Sequence, residues 1–280
     1  MARFFVTKDA VKENRIEITK PDDIHHISKV LRLEEGGFID VSDSEEYEYR
    51  VELVEISREM IVGLIQDKQS FSKEPGIVVS LYQGIPKQAK MESVIQKTVE
   101  LGVHRIVPVF TARTVVTDSK GNFAKKIERW QKISAEAVKQ CKRGIVPQVE
   151  PAVDFKQMMN TVFLHHDLVL FLYENEQATT IKQALREFAA EWTLNQALSG
   201  MGEAGLAAAS PSAASLMEAD PIARNPSIAL LVGPEGGFSD EEAEALKASS
   251  AKCATLGRTI LRTETAGMAA LAMVMYELEL

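Results

Sequence analysis

The stretch "LLVGPEGGFSDEE" at residues 230–242 passes from an apolar run through a cluster of glycines into an acidic segment. The apolar run predicts a buried strand, and Ser239 followed three residues later by Glu242 has the pattern of a helix capping box. The stretch therefore predicts a strand, a glycine-rich turn and a helix, which is the repeating element of an α/β domain. Glu235 stands in the middle of the turn, where a phosphate-binding loop would carry a lysine.

The glycine-rich turn from Gly233 to Gly237 is poorly suited to phosphates. Its spacing matches neither G-x-x-x-x-G-K-[ST] nor G-x-G-x-x-G, and Asp240, Glu241 and Glu242 occupy the positive end of the following helix. ATP, GTP and dinucleotides are thus poor candidates for its ligand. Glycines allow backbone groups to approach a neutral or cationic ligand closely, and S-adenosylmethionine meets these requirements. A tight turn that binds no ligand is the alternative.

The chain around this stretch alternates short apolar runs with amphipathic segments. Strands are predicted at 77–82, 105–110, 145–149, 168–173, 228–232 and 253–257. Helices are predicted over 87–102 and 122–144, where apolar residues recur at helical spacing. This alternation predicts an α/β domain with a largely parallel sheet over residues 73–280. The segment 198–226, rich in alanine, serine and glycine, is interpreted as a low-complexity surface insert.

The first 72 residues have a different pattern. Period-two alternation predicts strands within 38–56 and 59–66, and the proline and aspartates that open 21–33 predict a helix there. A small β-barrel fits this segment. A polar linker over 67–76 is expected to follow it.

The net charge of −8 is unevenly distributed along the 280 residues. Residues 73–150 hold 14 basic and 7 acidic side chains, whereas residues 1–72 and 151–280 are both net acidic. A basic middle segment in an acidic protein indicates a confined surface for a polyanion. A solvated helix face would have the same composition and is the alternative.

Several classes of protein are disfavoured by composition. No run of about 18 apolar residues is present, and the first ten residues lack the apolar core of a secretory signal, so a cytoplasmic protein without membrane contact is expected. Cys141 and Cys253 are far apart in the sequence, which favours reduced thiols. The five histidines are not at metal-ligand spacing, and no metal site is expected.

A second informative stretch is "LGRTILRTETAGMAALAMVM" at residues 256–275, where an irregular loop leads into a helix. The loop mixes apolar Ile260 and Leu261 with arginines and a glutamate, which predicts a loop folded inward. The helix is apolar on nearly every side, so a second subunit is one way to cover it. A core helix in a monomer is the alternative.

Together, the GPEGGF turn and the loop pattern LG-R-ILR-ETA resemble the SPOUT class of RNA methyltransferases, and more narrowly the RsmE family of 16S ribosomal RNA uridine-N3 methyltransferases. The resemblance implies a knotted α/β methyltransferase domain, with a trefoil knot at its C-terminal part, over residues 73–280. It also implies a PUA-like β-barrel over residues 1–72. Similar segments are HHISKVLRL (25–33), QKTVELGVHRIVPV (96–109), ARTVV (112–116) and RWQKISAEAVKQCKR (129–143).

The chain departs from the family pattern in two places. Lys87-Gln88-Ala89-Lys90 stands where the pattern has Lys-Gly-Asp followed by a basic residue. The insert before the glycine-rich turn is the second departure.

The resemblance implies that S-adenosylmethionine is the cofactor and that it binds between three loops. Arg262 is the candidate cation for negative charge that develops on the uracil ring, and Glu264 would orient Arg262 or relay the proton. A structural ion pair within the loop is the alternative for both. Ile260 and Leu261 would exclude water. The implied cofactor-binding residues are Leu172, Tyr173, Glu174, Val232, Gly233, Pro234, Glu235, Gly236, Gly237, Leu256, Gly257, Ile260, Leu261, Thr265 and Ala266.

The implied partner is the 16S ribosomal RNA of the small ribosomal subunit, bound by a homodimer. Arg113 and Arg143 are candidates for RNA binding because they match the family pattern, whereas Lys125 and Lys126 are candidates from charge alone. The predicted RNA-binding residues are Arg3, Arg32, Lys87, Lys90, Arg113, Arg129, Lys139 and Arg143.

Three other functions stay open on the sequence. One is a SPOUT enzyme that methylates the ribose 2′-hydroxyl of tRNA or rRNA, and another is a non-catalytic RNA-binding protein of the same fold. The third function is that of a dinucleotide-dependent oxidoreductase, which the predicted fold alone would allow. The chain, however, lacks a suitable glycine fingerprint for a dinucleotide.

Overall fold

The chain folds into two units, seen in a computed structural model that describes residues 2–71, 74–116, 123–200 and 225–279. The N-terminal unit is Met1–Glu74 with Ser134–Pro147, and the C-terminal unit is Pro75–Ile133 with Gln148–Leu280. Residues 201–224, which make up most of the predicted insert, lie outside the described residues.

The N-terminal unit is built on one β-sheet. Its strands are β1 (Arg3–Phe5), β2 (Arg15–Ile18), β3 (Phe38–Ser42), β4 (Tyr47–Ile56) and β5 (Ile61–Ser70). They follow the order β1-β3-β4-β5-β2, in which β1 and β3 are parallel and the other pairs are antiparallel. The predicted linker over 67–76 is partly wrong, because β5 stays paired with β4 as far as Ser70.

Two further elements of this unit are a single 3-10 turn at Lys8–Ala10 and helix α1 (Pro21–His25). Helix α1 begins with the predicted proline and continues as a wider π turn over His26–Val30. Alternation along the strands directs apolar side chains to one core. That core contains Phe4, Ile16, Ile18, Ile24, Ile27, Ile39, Val41, Tyr49, Val51, Leu53 and Ile61.

Asp43 organises the turn between β3 and β4. Its Oδ1 accepts hydrogen bonds from the backbone N–H groups of Glu45, Glu46 and Tyr47 at 2.9–3.0 Å, and its Oδ2 accepts one from the Tyr49 hydroxyl at 3.2 Å. Burial alone would raise the pKa of the Asp43 carboxyl, but these hydrogen bonds outweigh burial and lower its pKa below the ordinary value. Burial and the Asp43 carboxylate together raise the pKa of Tyr49 to about 12.

We expect Asp43→Asn to lower the free energy of unfolding by about 1–3 kcal/mol at neutral pH, because an amide replaces a buried charged acceptor. Since the folded-state pKa of Asp43 is depressed, its contribution is present above the unfolded-state pKa and is lost as the pH falls through the folded-state pKa. Denaturant unfolding at a series of pH values should therefore show that the stabilities of the wild type and of Asp43→Asn converge in acid. Asp9→Asn, at an exposed site of the same unit, is the control. If the stability difference between Asp43→Asn and the wild type did not shrink in acid, the charge of Asp43 would not be its cause.

The C-terminal unit contains strands and helices in alternation. Its strands are β6 (Val78–Gly84), β7 (Arg105–Phe110), β8 (Gln148–Val149), β9 (Val153–Asp154), β10 (Leu168–Leu172), β11 (Ser227–Val232) and β12 (Lys252–Ala254). Its helices are α2 (Lys90–Glu100), α3 (Phe123–Cys141, of which residues 134–141 belong to the N-terminal unit), α4 (Phe155–His165), α5 (Ile181–Gly200), α6 (Asp240–Lys247) and α7 (Thr263–Leu278).

The strands of this unit form one parallel sheet in the order β12-β10-β11-β6-β7-β8, and β9 pairs with β7. Strand β11 lies between β10 and β6, and all six of its residues are buried, which explains its continuous apolar sequence. The predicted α/β domain with a parallel sheet is confirmed. The trefoil knot stays a prediction.

Apolar side chains cover both faces of the parallel sheet. On one face, Phe171 and Leu231 pack with Met158 of α4 and with Phe238, which follows the glycine-rich turn. On the other face, α7 packs against α2, α5 and strands β6 and β11. The glycine-rich turn and the start of α7 are therefore anchored on opposite faces of the same strands.

Candidate functional site

A cavity of about 560 Å³ lies where the carboxyl ends of β10, β11 and β12 meet. These strands and β6 are parallel neighbours, so their ends lie at one edge of the sheet, which is where open α/β sheets bind ligands. Three loops enclose the cavity, at residues 172–174, 232–237 and 254–263. Its volume suits a small organic ligand.

The structure brings fourteen of the fifteen predicted cofactor-binding residues to the wall of this cavity. The exception is Thr265, which is exposed on the first turn of α7. The fourteen are Leu172, Tyr173, Glu174, Val232, Gly233, Pro234, Glu235, Gly236, Gly237, Leu256, Gly257, Ile260, Leu261 and Ala266. Their binding of a cofactor stays a prediction.

Apart from the predicted catalytic residue Arg262, six further residues of the wall were not predicted to bind the cofactor. They are Lys90, Ala254, Thr255, Arg258, Thr259 and Thr263. Ala254 and Thr255 could have been recognised, because they directly precede Leu256 in the same loop. The sequence around Lys90 does not indicate that this residue lines the cavity, because only the tertiary fold brings it there.

The prediction that Ile260 folds inward is wrong. Its side chain is 82% exposed and lies at the open mouth of the cavity. Leu261 is half-buried and is the apolar residue of this loop that is placed to exclude water. The loop has no regular period, so its apolar letters alone could not separate the inner side from the outer side.

Glu235 binds groups of the protein itself. Its Oε1 accepts hydrogen bonds from the Lys90 ammonium at 2.9 Å and from the Lys87 backbone N–H at 3.0 Å. Burial alone would raise the pKa of Glu235, but these bonds outweigh burial and hold its pKa below the ordinary value. The hydrogen bond that Lys90 donates to Glu235 also raises the pKa of Lys90. The fold thus supplies a lysine near the turn, but a carboxylate of the turn neutralises it, which disfavours a phosphate ligand.

Glu242 and Arg113 brace the glycine-rich turn from outside. Ser239 and Glu242 form the predicted capping box of α6. The buried Glu242 carboxylate accepts hydrogen bonds from the backbone N–H groups of Ser239 at 2.9 Å and Ala112 at 2.8 Å. The next residue, Arg113, donates to the Gly236 carbonyl at 2.9 Å. The loop after β7 and the glycine-rich turn are therefore held together.

Thr263 ties the start of α7 to the same turn. Its hydroxyl donates to the Gly233 carbonyl at 2.6 Å and accepts a hydrogen bond from Gln83 Nε2 at 2.8 Å. Gln83 is buried and also donates to the Gly84 carbonyl at 3.0 Å. The ends of β6, β11 and the cavity loop are thus connected by buried hydrogen bonds, which stabilise the shape of the cavity.

The two predicted catalytic residues have different surroundings. Arg262 lines the cavity, is exposed and does not cap α7 with its side chain. Glu264 is half-buried, and its Oε2 lies 3.7 Å from Lys90 Nζ. Among the described residues, that oxygen has no hydrogen-bond partner, and the ion-pair partner of Glu264 is Lys90 rather than Arg262. The contacts therefore do not support the prediction that Glu264 orients Arg262.

The predicted RNA-binding residues differ in how far their side chains are exposed. Arg3 pairs with Glu48 and donates to the carbonyls of Lys142 and Arg143 at 2.8 and 3.0 Å. Arg143 is 5% exposed and pairs with Glu74 at 2.8 Å. Both arginines hold the N-terminal unit together in this conformation. The exposed candidates are Arg32, Lys87, Arg113 and Arg129, and the half-buried ones are Lys90 and Lys139.

Within the described ranges, no group of three or more His, Cys, Asp or Glu side chains is placed to hold a metal ion. None of the helices in those ranges is long and apolar enough to cross a membrane. Burial and a hydrogen bond with Glu176 raise the pKa of Cys253 to about 12, so its thiol is not a nucleophile at neutral pH.

Comparisons with known proteins agree with this architecture. The RNA methyltransferase domain family matches residues 73–275, and the RNA methyltransferase PUA domain family matches residues 18–65. The chain is 31% identical to ribosomal RNA small subunit methyltransferase E of Bacillus subtilis over 282 residues, which cover 100% of this chain and 98% of the relative. It is 28% identical to the protein of the same name from Mesomycoplasma hyopneumoniae over 270 residues, which cover 96% of each chain.

Solved structures are similar over nearly the whole chain. A structure from Legionella pneumophila, described as that of a methyltransferase with its cofactor SAM bound, has a TM-score of 0.74 at 26% identity and covers 98% of this chain and 97% of that one. Ribosomal RNA small subunit methyltransferase E from Neisseria gonorrhoeae, bound to S-adenosyl methionine, has a TM-score of 0.72 at 23% identity and covers 99% and 97%. The predicted architecture of a PUA-like domain and a methyltransferase domain is confirmed.

Proposed function

The chain belongs to the ribosomal RNA small subunit methyltransferase E family of RNA methyltransferases, and on this premise we propose that it transfers a methyl group from S-adenosylmethionine to N3 of a uridine in 16S ribosomal RNA. The observation that carries the proposal is the cavity in which the glycine-rich turn and the loop at 254–263 come together at the ends of parallel strands. The small ribosomal subunit as partner and the cytoplasm as location are parts of the same proposal.

The residues around the cavity fit this cofactor. The turn offers backbone groups and no unpaired lysine, which suits a ligand without phosphates. Glu174 adds a carboxylate close to Gly237, where an added Cβ would lie 2.5 Å from Glu174 Oε1, and this charge complements a sulfonium. When bound, S-adenosylmethionine supplies an electrophilic methyl group. Backbone groups of Gly236, Leu256 and Leu261 bind its adenine and ribose in this proposal.

Arg262 and Glu264 are the proposed catalytic residues. Uridine N3 carries a proton and becomes a strong nucleophile only when that proton leaves, and negative charge then spreads to the flanking carbonyl oxygens. Arg262 places a guanidinium at the cavity, where it stabilises this charge. Glu264 holds a buried oxygen without a hydrogen-bond partner among the described residues, which suits a proton acceptor.

The RNA-contacting cations in this proposal are exposed in each unit: Arg32 in the N-terminal unit, and Lys87, Arg113 and Arg129 in the C-terminal unit. Arg3 and Arg143 are left out, because their side chains are largely buried where they pair with Glu48 and Glu74. Arg113 and Arg129 also pair with carboxylates, but their side chains stay exposed. Phosphate contacts of this kind make RNA binding strongly salt-dependent.

The reaction is tested by incubating the protein with labelled S-adenosylmethionine and small ribosomal subunits that lack the modification. The RNA is then digested and the labelled nucleoside is identified by mass spectrometry. We expect N3-methyluridine at a single site. A 2′-O-methylated nucleoside would instead favour the alternative SPOUT enzyme, and absence of label with the cofactor bound would favour a binding protein.

A homodimer is the second part of the proposal, and helix α7 supports it. The buried face of α7 packs in the C-terminal unit, while Met273 and Tyr276 remain exposed on its other side, Tyr276 at 71%. Apolar surface of this kind on a helix next to a ligand cavity suits a subunit interface.

We expect Tyr276→Lys to weaken dimerisation by tenfold or more, which is about 1.4 kcal/mol, because it places a charge in an apolar interface. Leu164→Lys on α4 is the matched control, since Leu164 is 75% exposed and lies away from α7 in the sequence. Analytical ultracentrifugation over a range of concentrations measures both. A wild-type protein that is monomeric at working concentration, or equal effects of the two variants, would rule out this interface.

A further inference from the structure

A second cavity, of about 350 Å³, lies in the C-terminal unit. One side is formed by the segment that follows β6, through Ile85, Pro86 and Gln88, and the other by α3, through Lys126, Arg129 and Trp130. The function proposed above uses one of its lining residues, Arg129, and gives the cavity itself no role.

The second cavity combines an apolar floor with a lining that carries the cations Lys126 and Arg129 and the carboxylate of Glu92. Ile85 and Trp130 are buried among its lining residues. Lys126 is exposed and its ammonium lies 5.1 Å from the centre of the Phe123 ring. Arg129 is exposed and pairs with Glu92 at 2.9 Å. Apolar and aromatic floors with cations at the rim are the surfaces on which proteins hold the bases and phosphates of single-stranded RNA.

Gln88 adds a polar and strained element to this wall. Its φ of 58° lies in the left-handed region, which favours glycine and costs another residue about 1 kcal/mol or more. Backbone strain of this kind clusters at active sites and ligand-binding segments. The amide of Gln88 offers both donors and an acceptor, which suits the polar edge of a nucleobase.

The same short segment borders both cavities. Lys90 lines the cavity at the ends of β10 to β12, whereas Gln88 and Ala89 line the second cavity. Residues 88 and 90 are two residues apart, so their Cα atoms are separated by less than about 8 Å. A nucleotide adjacent to one held in the first cavity is therefore within reach of the second.

We propose that the second cavity binds a nucleotide of the RNA substrate adjacent to the one that is methylated. Its base lies on the floor formed by Ile85 and Trp130, and its phosphate contacts Lys126 and Arg129. This inference rests on the proposed function. It assigns the preference for RNA sequence next to the methylated uridine to the second cavity, which is separate from the cofactor site.

Lys126→Glu tests the phosphate contact against a matched control. Lys125 carries the same charge on the same helix, is exposed and does not line the second cavity. With unmodified small ribosomal subunits as the probe, we expect Lys126→Glu to raise the Kd about tenfold and to reduce the slope of log K against log salt by about 1. Lys125→Glu is expected to change the Kd less than about threefold and to leave the slope unchanged.

Ala89→Phe tests the cavity itself without a change of charge. Ala89 is exposed at the start of α2, so a larger side chain there occupies the cavity without entering the core. We expect weaker binding of the ribosomal subunit and unchanged binding of S-adenosylmethionine, measured by calorimetry. Melting temperatures show whether each variant is folded.

Two results would overturn the inference while the proposed function stands. One is an equal loss of RNA affinity in Lys125→Glu and Lys126→Glu, which a general electrostatic field would produce. The other is normal RNA binding by folded Ala89→Phe. Failure of the wild-type protein to form N3-methyluridine is a separate outcome, which concerns the proposed function.

Discussion

Replacement of Arg262 by alanine is expected to lower methyl transfer by about 10²–10³-fold, the usual effect of removing one group that stabilises developing negative charge. The guanidinium lines the cavity and is free of any capping role on α7, so its removal leaves the fold intact. Binding of S-adenosylmethionine should change little, because backbone groups carry most of the proposed cofactor contacts. Single-turnover methyl transfer and calorimetric binding are measured separately.

Arg258→Ala is the matched control for this prediction. Arg258 is also exposed and lines the same cavity, but it lies in the loop before Ile260 rather than at the start of α7. Arg262→Lys should retain part of the activity, since it keeps the charge and loses the planar donor geometry. Turnover of Arg262→Ala within about fivefold of the wild type would remove Arg262 from the chemistry.

The second large effect is expected from Gly84→Ala at the end of β6. An added Cβ would lie 2.6 Å from both the nitrogen and Cδ of Pro234, and 2.9 Å from the carbonyl carbon of Gly233. These atoms are backbone or ring atoms of the glycine-rich turn, so the turn itself must move. We expect a loss of S-adenosylmethionine affinity of tenfold or more, and a decrease of about 1–3 kcal/mol in the free energy of unfolding.

Gly76→Ala is the control for the steric argument. Its nearest contact would be 3.4 Å from a carboxylate oxygen of Glu279, at the end of a flexible side chain. Its effect on stability should stay within about 0.5 kcal/mol, and its cofactor affinity should equal that of the wild type. Calorimetry measures the cofactor affinity of both variants, and thermal unfolding measures their stability. Normal affinity in Gly84→Ala would mean that the turn is not the cofactor site.

Local signals explain why the loops of the site could be predicted. Ser239 and Glu242 are three residues apart, and their capping box forms as expected. The apolar run before Gly233 corresponds to the fully buried strand β11. A continuous apolar run is typical of a strand that is buried on both faces of a sheet. The strand at 253–257 ends earlier than predicted, at Ala254, and the freed residues enter the cavity wall.

Charge and hydropathy at single positions were less informative. Arg3 and Arg143 were predicted to bind RNA from their charge and from the family pattern, yet each pairs with a carboxylate inside the N-terminal unit. Ile260 was predicted to be buried and is exposed. For both arginines the residue type gives the chemistry of the side chain, while a distant part of the chain supplies its partner.

The sequence by itself determined the class of fold, the family and the three loops that enclose the cavity, because these depend on period, glycine placement and capping within short segments. The tertiary structure alone decided which charges are neutralised and which are free. Glu235 meets Lys90 across 145 residues, and Glu242 meets the backbone of Ala112 across 130. Such contacts depend on which strands are neighbours in the sheet, and no pattern within a short window of sequence encodes that order.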